Sequence, residues 1–277
     1  MNEKTFQFSE KHFNNFNIEI ISNGLFRGDK SWNFIDVVSP FNRLYFVLSG
    51  EGYLVNEKHK IKLSPGNVYL IPSGAKYSYK CDKSIYKLYF HFNLQLIPGM
   101  DIFDGLNQCI YFAYSLDVIN KLIEFLNSQS LLGILKFKAI LNEFIADFME
   151  KATYEYGLKW EYKAFMKYNE LLAIIYDNLY ADIRIKNLAD SMKISYYSLS
   201  RNFKLDTGIG LKKYAEKMLL KKSKQLLLTT TMNISEISEQ LHFCDQYYFS
   251  RFFKKYAKIP PKEYRKKYSE SRNYITL

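Results

Sequence analysis

Cysteine is scarce in this chain of 277 residues: Cys81, Cys109 and Cys244 are odd in number, far apart and free of any C-x-x-C spacing. That excludes a disulfide framework and fits free thiols in a reducing cytoplasm, the expected location. Histidine is nearly as rare: His12, His59, His91 and His242 are scattered and form no His-x-His pair. No metal site is therefore expected, and no cofactor. No run of about 18 apolar residues occurs, which excludes a transmembrane helix and points away from a membrane. Met1 to Glu10 lack a continuous apolar core, so no secretory signal is expected there. Disorder is not expected either, because 48% of the residues are hydrophobic and 17% aromatic. A chain of this length suits about two domains.

Positive charge is abundant and unevenly placed. Residues 168–277 carry 20 Lys and Arg against 11 Asp and Glu, net +9, whereas residues 1–167 carry 19 against 17, net +2. The C-terminal part is thereby directed at a polyanion. The same part contains an internal repeat. Ser200-Arg201-Asn202-Phe203-Lys204 returns as Ser250-Arg251-Phe252-Phe253-Lys254, and Tyr197, Leu199, Ile209 and Tyr214 answer to Tyr247, Phe249, Ile259 and Tyr264. Two copies of one small unit are expected, each a short helix, a tight turn and a second helix.

Period separates the rest. Residues 18 to about 95 read as β structure, with runs at Leu44–Leu48, Tyr53–Val55, His59–Leu63, Val68–Ile71, Tyr77–Tyr79 and Ile85–Phe92 divided by Gly, Pro and Asn turns. Such spacing predicts a barrel or sandwich. Across 116–156 the period becomes helical, with Ile119, Leu122, Ile123 and Leu126, then Phe137, Leu141, Phe144, Ile145 and Phe148. These stripes predict two amphipathic helices that either cover the β structure or pair with a second chain. Beyond Lys167 the reading is all helix. Ser195, Asn233 and Asp245 are placed as N-caps, Gly208 as a stop and Pro260-Pro261 as a break. The fold class is α+β, multidomain.

In the first repeat Leu199 and Phe203 lie four apart and are expected inside, leaving Tyr197, Ser200, Arg201 and Lys204 outside. In the second, Phe249 and Phe253 are expected inside, with Tyr247, Ser250, Arg251 and Lys254 outside and Gln246 at the helix start. Arg can pair with guanine, Gln with adenine, and Tyr can lie on a thymine methyl. Lys204, Lys254 and Lys255 suit phosphate. A solvated charged face is the plainer account, and the duplication with local charge weighs against it.

Residues 168–268 resemble the tandem helix-turn-helix domain of AraC/XylS-type bacterial transcription regulators. The resemblance is carried by Leu188-Ala189, Ser195, Leu199-Ser200-Arg201, Phe203-Lys204 and Thr207-Gly208-Ile209, and by Ile237-Ser238, Phe243, Asp245 to Lys255, Pro261 and Tyr264-Arg265. It implies base contacts from Tyr197, Ser200, Arg201, Gln246, Tyr247, Ser250 and Arg251. It departs from the family at His242 and Lys258, usually Gly, and at Leu219, usually Arg. Residues 44–92 resemble the cupin-like sensory barrel often joined to that domain, through Val47 to Gly52, Ser64-Pro65-Gly66-Asn67, Ile71 to Gly74 and His91-Phe92. Tyr77 stands where an enzymatic cupin has a histidine ligand.

The resulting division is 1–110 for a cupin-like regulatory domain, 111–166 for a helical dimerisation or linker region, and 167–277 for DNA binding. Candidate effector-site residues are Arg27, Trp32, Arg43, Tyr45, Tyr53, Tyr77, Tyr89 and His91, whose aromatic faces and polar groups suit a sugar or other polar metabolite. The family implies double-stranded DNA, a small effector, RNA polymerase and a second copy of the chain as partners, and activation as the commoner mode. The competing readings are a metal-independent cupin enzyme with a helical interaction module, and a non-specific nucleic-acid binder.

Overall fold

The computed structural model describes residues 17–97, 100–158 and 167–269. Two units divide it: one is built on 19–93 with 103–158, the other on 167–269 with 17–18, 94–97 and 100–102. His12 lies outside the described residues.

The described residues form ten strands, β1 (Asn17–Gly28), β2 (Phe34–Val37), β3 (Asn42–Gly50), β4 (Gly52–Val55), β5 (Lys60–Leu63), β6 (Asn67–Ile71), β7 (Tyr77–Lys80), β8 (Ile85–Ile97, running into the second unit), β9 (Met100–Asp101, counted with the second unit) and β10 (Ile110–Ala113). One sheet runs β1-β8-β3-β6-β10 with β9 on β8; the other runs β2-β7-β4-β5. Residues of both sheets share one core, including Tyr45, Val47, Tyr69 and Tyr89 from the first and Val37, Leu54, Tyr77 and Tyr79 from the second. Among the described residues no ladder joins the sheets, so the expected barrel takes the form of two facing sheets. Gly50 is required where the strands turn: its φ is +74°, and a Cβ would stand 2.1 Å from the Ser84 carbonyl oxygen.

Strand β3 is buried on both faces, which explains its unbroken apolar run. Tyr45 and Val47 face the second sheet. Phe46 points the other way, to helix α2 (Leu131–Tyr156), which follows α1 (Leu116–Asn127). Phe144 packs on Phe46 at 4.9 Å between ring centres, Phe137 on Phe90 at 5.1 Å, and Phe148 on Phe112 at 4.5 Å. The Phe137, Phe144 and Phe148 stripe of α2 is therefore used in covering the first sheet. In their place a different set, Leu131, Leu132, Ile134 and Leu135, is exposed at the start of α2.

The second unit is helical: α3 (Asn169–Asp177), α4 (Ile185–Ser191), α5 (Tyr196–Thr207), α6 (Leu211–Thr229), α7 (Ile234–Gln240), α8 (Gln246–Ala257) and α9 (Pro261–Ser269). All seven contribute to one core. The caps follow local chemistry. The Ser195, Asn233 and Asp245 side chains accept backbone N–H groups of Ser198, Glu236 and Tyr248, and Glu236 returns a bond to complete a capping box.

Candidate nucleic-acid interface and interior site

The repeat is geometric as well as textual. In α4–α5 the Ile194 N–H donates to the Ala189 carbonyl at 3.0 Å; in α7–α8 the Phe243 N–H donates to the Ser238 carbonyl at 2.9 Å. Ala189 and Ser238 are both buried, small enough for the two helices of each unit to cross closely. Phe203 meets Tyr214 edge-on at 5.8 Å and 72°, and Phe253 meets Tyr264 at 5.2 Å and 74°. Each second helix is thus propped from behind by the same ring pair.

What remains outside is the polar face. Leu199, Phe203, Phe249 and Phe253 are buried, while Arg201, Lys204, Gln246, Arg251, Lys254 and Lys255 are exposed. Tyr197 and Tyr247 are 87% and 69% exposed, large values for aromatic side chains. Ser200 and Ser250 are half-buried at matching places. The Arg251 guanidinium lies 5.7 Å from the Tyr248 ring.

The departures at turns have a backbone consequence. Helix α5 ends on Gly208 at φ +72°, and α8 ends on Lys258 at φ +69°, each N–H donating to the carbonyl four residues back at 2.9 Å. A left-handed lysine is strained by its Cβ where glycine is not. Lys258→Gly is expected to raise the stability of the helical unit by about 1 kcal/mol, read as a higher urea midpoint; a lower midpoint would refute strain at this cap. His242 also has positive φ, 54°. It stacks on Tyr180 at 3.9 Å and 10°, so glycine there would lose a contact while relieving the backbone. Leu219 is buried in the helical core, so the position holds an apolar side chain inside the unit where the family has arginine.

Within the first unit, strand register decides which effector-site candidates meet. β3 and β8 pair Arg43 with His91, Tyr45 with Tyr89 and Val47 with Lys87. Residues two apart share a face, so Arg43, Tyr45, Lys87, Tyr89 and His91 line one side of the sheet. Trp32 joins them through Tyr79, 5.0 Å between rings. Arg43 Nη1 donates to the Tyr79 hydroxyl, and Nη2 to the Ala75 carbonyl at 3.1 Å. Tyr77 is buried alongside, its hydroxyl accepting the Cys109 N–H at 2.9 Å. Ser22 bonds His91 Nδ1 at 2.8 Å.

Two candidates do not belong. Arg27 is exposed and lies 4.4 Å above the Tyr86 ring; Tyr53 is half-exposed, with Lys60 4.4 Å over its ring. Strand alternation explains Tyr53, since its neighbour Leu54 takes the inward position. Sequence reasoning also passed over Lys87 and Tyr79. The alternation that turns Tyr89 and His91 inward applies equally to Lys87.

Burial governs the electrostatics of this interior. It pushes the Lys87 ammonium well below the usual lysine range, and Arg43 adds to the shift. Burial likewise holds His91 well below its ordinary value, with Lys87 and Arg43 adding to it, so the ring is neutral. Burial pushes the Tyr45 and Tyr79 phenols up. All three cysteines are free, Cys81 and Cys109 buried and Cys244 exposed. Among the described residues no three His, Cys, Asp or Glu side chains gather as a metal set. No helix among them is long and apolar enough to cross a membrane.

A duplicated helix-turn-helix with two basic, solvent-facing second helices defines a DNA-binding protein. A helix-turn-helix domain family matches residues 188–267. The Msm operon regulatory protein of Streptococcus mutans is 24% identical over 94% of this chain and 96% of its own length. The lactose operon transcription activator of Staphylococcus xylosus is 25% identical over 82% of this chain and 84% of its own. The arabinose operon regulatory protein of Escherichia coli is 33% identical over 34% of this chain and 32% of its own. The chain is similar to regulators of the AraC/XylS type and is a DNA-binding transcription regulator, not an enzyme.

Proposed function

We propose that this protein is a ligand-responsive activator of carbohydrate genes, acting as a homodimer. The observation that carries the DNA part of the reading is the pair of matching exposed faces, Tyr197, Ser200 and Arg201 beside Gln246, Tyr247, Ser250 and Arg251, each on its own rigid prop. These residues read bases, while Lys204, Lys254 and Lys255 hold phosphates. The two helices of one protomer enter successive major-groove segments, about 34 Å apart. Activation and sugar genes are supported by relatives named for the lactose and arabinose operons.

The N-terminal unit, read as a cupin-like sensor, takes the effector among Trp32, Arg43, Tyr45, Tyr77, Tyr89 and His91. A sugar suits the aromatic faces. Leu131, Leu132, Ile134 and Leu135 support dimerisation, since a cluster of exposed large aliphatic side chains on one helix end favours a partner surface. RNA polymerase is the further partner that activation requires. Effector binding acts by shifting the population between two presentations of the DNA-binding units, which only differential affinity can do.

Footprinting of the full chain on genomic DNA tests the reading. Its site is expected to be preferred by about 10³ or more over random DNA; uniform affinity would leave only a non-specific binder. In the same assay Lys254→Ala is expected to weaken every DNA about equally and to flatten the salt dependence. A loss confined to the preferred site would reassign Lys254 to base reading.

A further inference from the structure

The interior of the N-terminal unit contains two buried cations, Arg43 at 2% and Lys87 at 4% exposure. Among the described residues no ion pair involves either. Arg43 satisfies two of its nitrogens on Tyr79 and Ala75, and its Nε is buried with no partner. Lys87 has ring faces as its neighbours: its ammonium is 3.2 Å from the Tyr45 ring centre, 4.5 Å from Trp32 and 5.3 Å from Phe26. Ring faces replace only part of the hydration that a buried ammonium gives up.

These two cations are placed by the fold on one face. Arg43 and Val47, whose cross-strand partner is Lys87, flank Tyr45 at intervals of two on β3. They converge on the same aromatic group, since Arg43 bonds Tyr79 and Lys87 stands over Tyr45, and the two rings are 6.5 Å apart. A buried cation without a counterion is strongly disfavoured, and two together repel. Arg43 disfavours the charge on Lys87, and both disfavour that on His91. An anion placed between them offsets both charges at once.

We infer that this interior binds an anionic small molecule, a sugar bearing a carboxylate or a phosphate, with its negative group held by Lys87 and Arg43 and its body against Trp32, Tyr45 and Tyr89. This rests on the reading of the same interior as the effector site and gives that effector its charge. Arg43 Nε and the Lys87 ammonium supply the donors, and guanidinium and ammonium suit carboxylate and phosphate alike.

Isothermal titration of the full-length protein with D-glucuronate, D-glucose 6-phosphate and D-glucose tests it, the first two separating carboxylate from phosphate. At least one acidic sugar is expected to bind tenfold or more tightly than glucose. Lys87→Met is expected to abolish that tenfold preference, and to melt no lower than the parent because it removes a buried charge. Should Lys87→Met melt lower, Arg43→Lys serves instead: it keeps a charge, gives up Nε, and is expected to weaken the acidic sugar severalfold. Glucose binding as tightly as both acidic sugars, no binding of either acidic sugar, or unchanged affinity in the folded variant each overturns the inference. DNA selectivity measured on the same preparation separates the two claims. Selective DNA binding without acidic-sugar binding defeats the inference alone, and glucose that binds and shifts the footprint leaves the effector reading standing with the anionic assignment withdrawn.

Discussion

Phe253→Ala is expected to destabilise the helical unit by about 3–5 kcal/mol, the range for removing a large buried aromatic side chain. Phe253 is fully buried, touches Phe249 at 5.9 Å and Tyr264 at 5.2 Å between ring centres, and cannot be replaced by water. A domain of this size has about 5–15 kcal/mol in all, so the change removes a large share. Its effect should be local. Among the described residues the helical core draws on 168–268, and the core between the sheets has its own members. Urea denaturation is therefore expected to show an early transition accompanied by loss of DNA binding, with the transition of the N-terminal unit retained. A single transition at the parental midpoint would show that the ring pair does not hold α8 in place. Phe203→Ala, the matching change in the first repeat, should behave alike, since Phe203 is equally buried and meets Tyr214 in the same edge-on manner.

Arg251→Ala and Arg201→Ala are expected to cost about 1–3 kcal/mol each on the preferred DNA site, which is the worth of one bidentate base contact. Both side chains are exposed, so the unit's own stability should move by no more than about 0.5 kcal/mol. The lysine variants sharpen the test. Lysine keeps the charge and loses the planar fork, so Arg251→Lys should retain general affinity and still relax the base preference. Footprints unchanged in both alanine variants would remove Arg201 and Arg251 from base reading. Full rescue by lysine would make them phosphate contacts.

Much of the helical unit was legible in the chain because its determinants are local. Ser195, Asn233 and Asp245 announce helix starts, and each accepts a backbone N–H within three residues. Gly208 ends α5 in the left-handed conformation that a glycine at this position predicts. The four-residue spacing of Leu199 and Phe203, and of Phe249 and Phe253, assigns the inner face without reference to any partner. Lys258 is the exception, where a lysine does what the first repeat gives to glycine.

The N-terminal unit was legible in its strands and less so in their use. β10 (Ile110–Ala113) was missed because four residues carry little periodic signal; its place is decided by pairing with β6, some forty residues earlier. The stripes on α1 and α2 were read as either sheet-covering or dimer-forming, since both uses need the same apolar face; Phe137, Phe144 and Phe148 of α2 pack on Phe90, Phe46 and Phe112 of the sheet. Arg27 and Tyr53 looked like Arg43 and Tyr45 as residue types, and differ from them only in the side of the sheet they occupy.

By itself the amino-acid sequence determined the class of this protein: a duplicated basic helical unit, its caps and its outward residues, all properties of segments a few residues long. Tertiary structure alone decided that Lys87 and Arg43 share one buried interior, that two sheets flank it, and that Phe137, Phe144 and Phe148 of α2 pack on the first sheet. The reason is range: a cap is settled by neighbours in sequence, whereas burial of a charge depends on strands that meet only after folding.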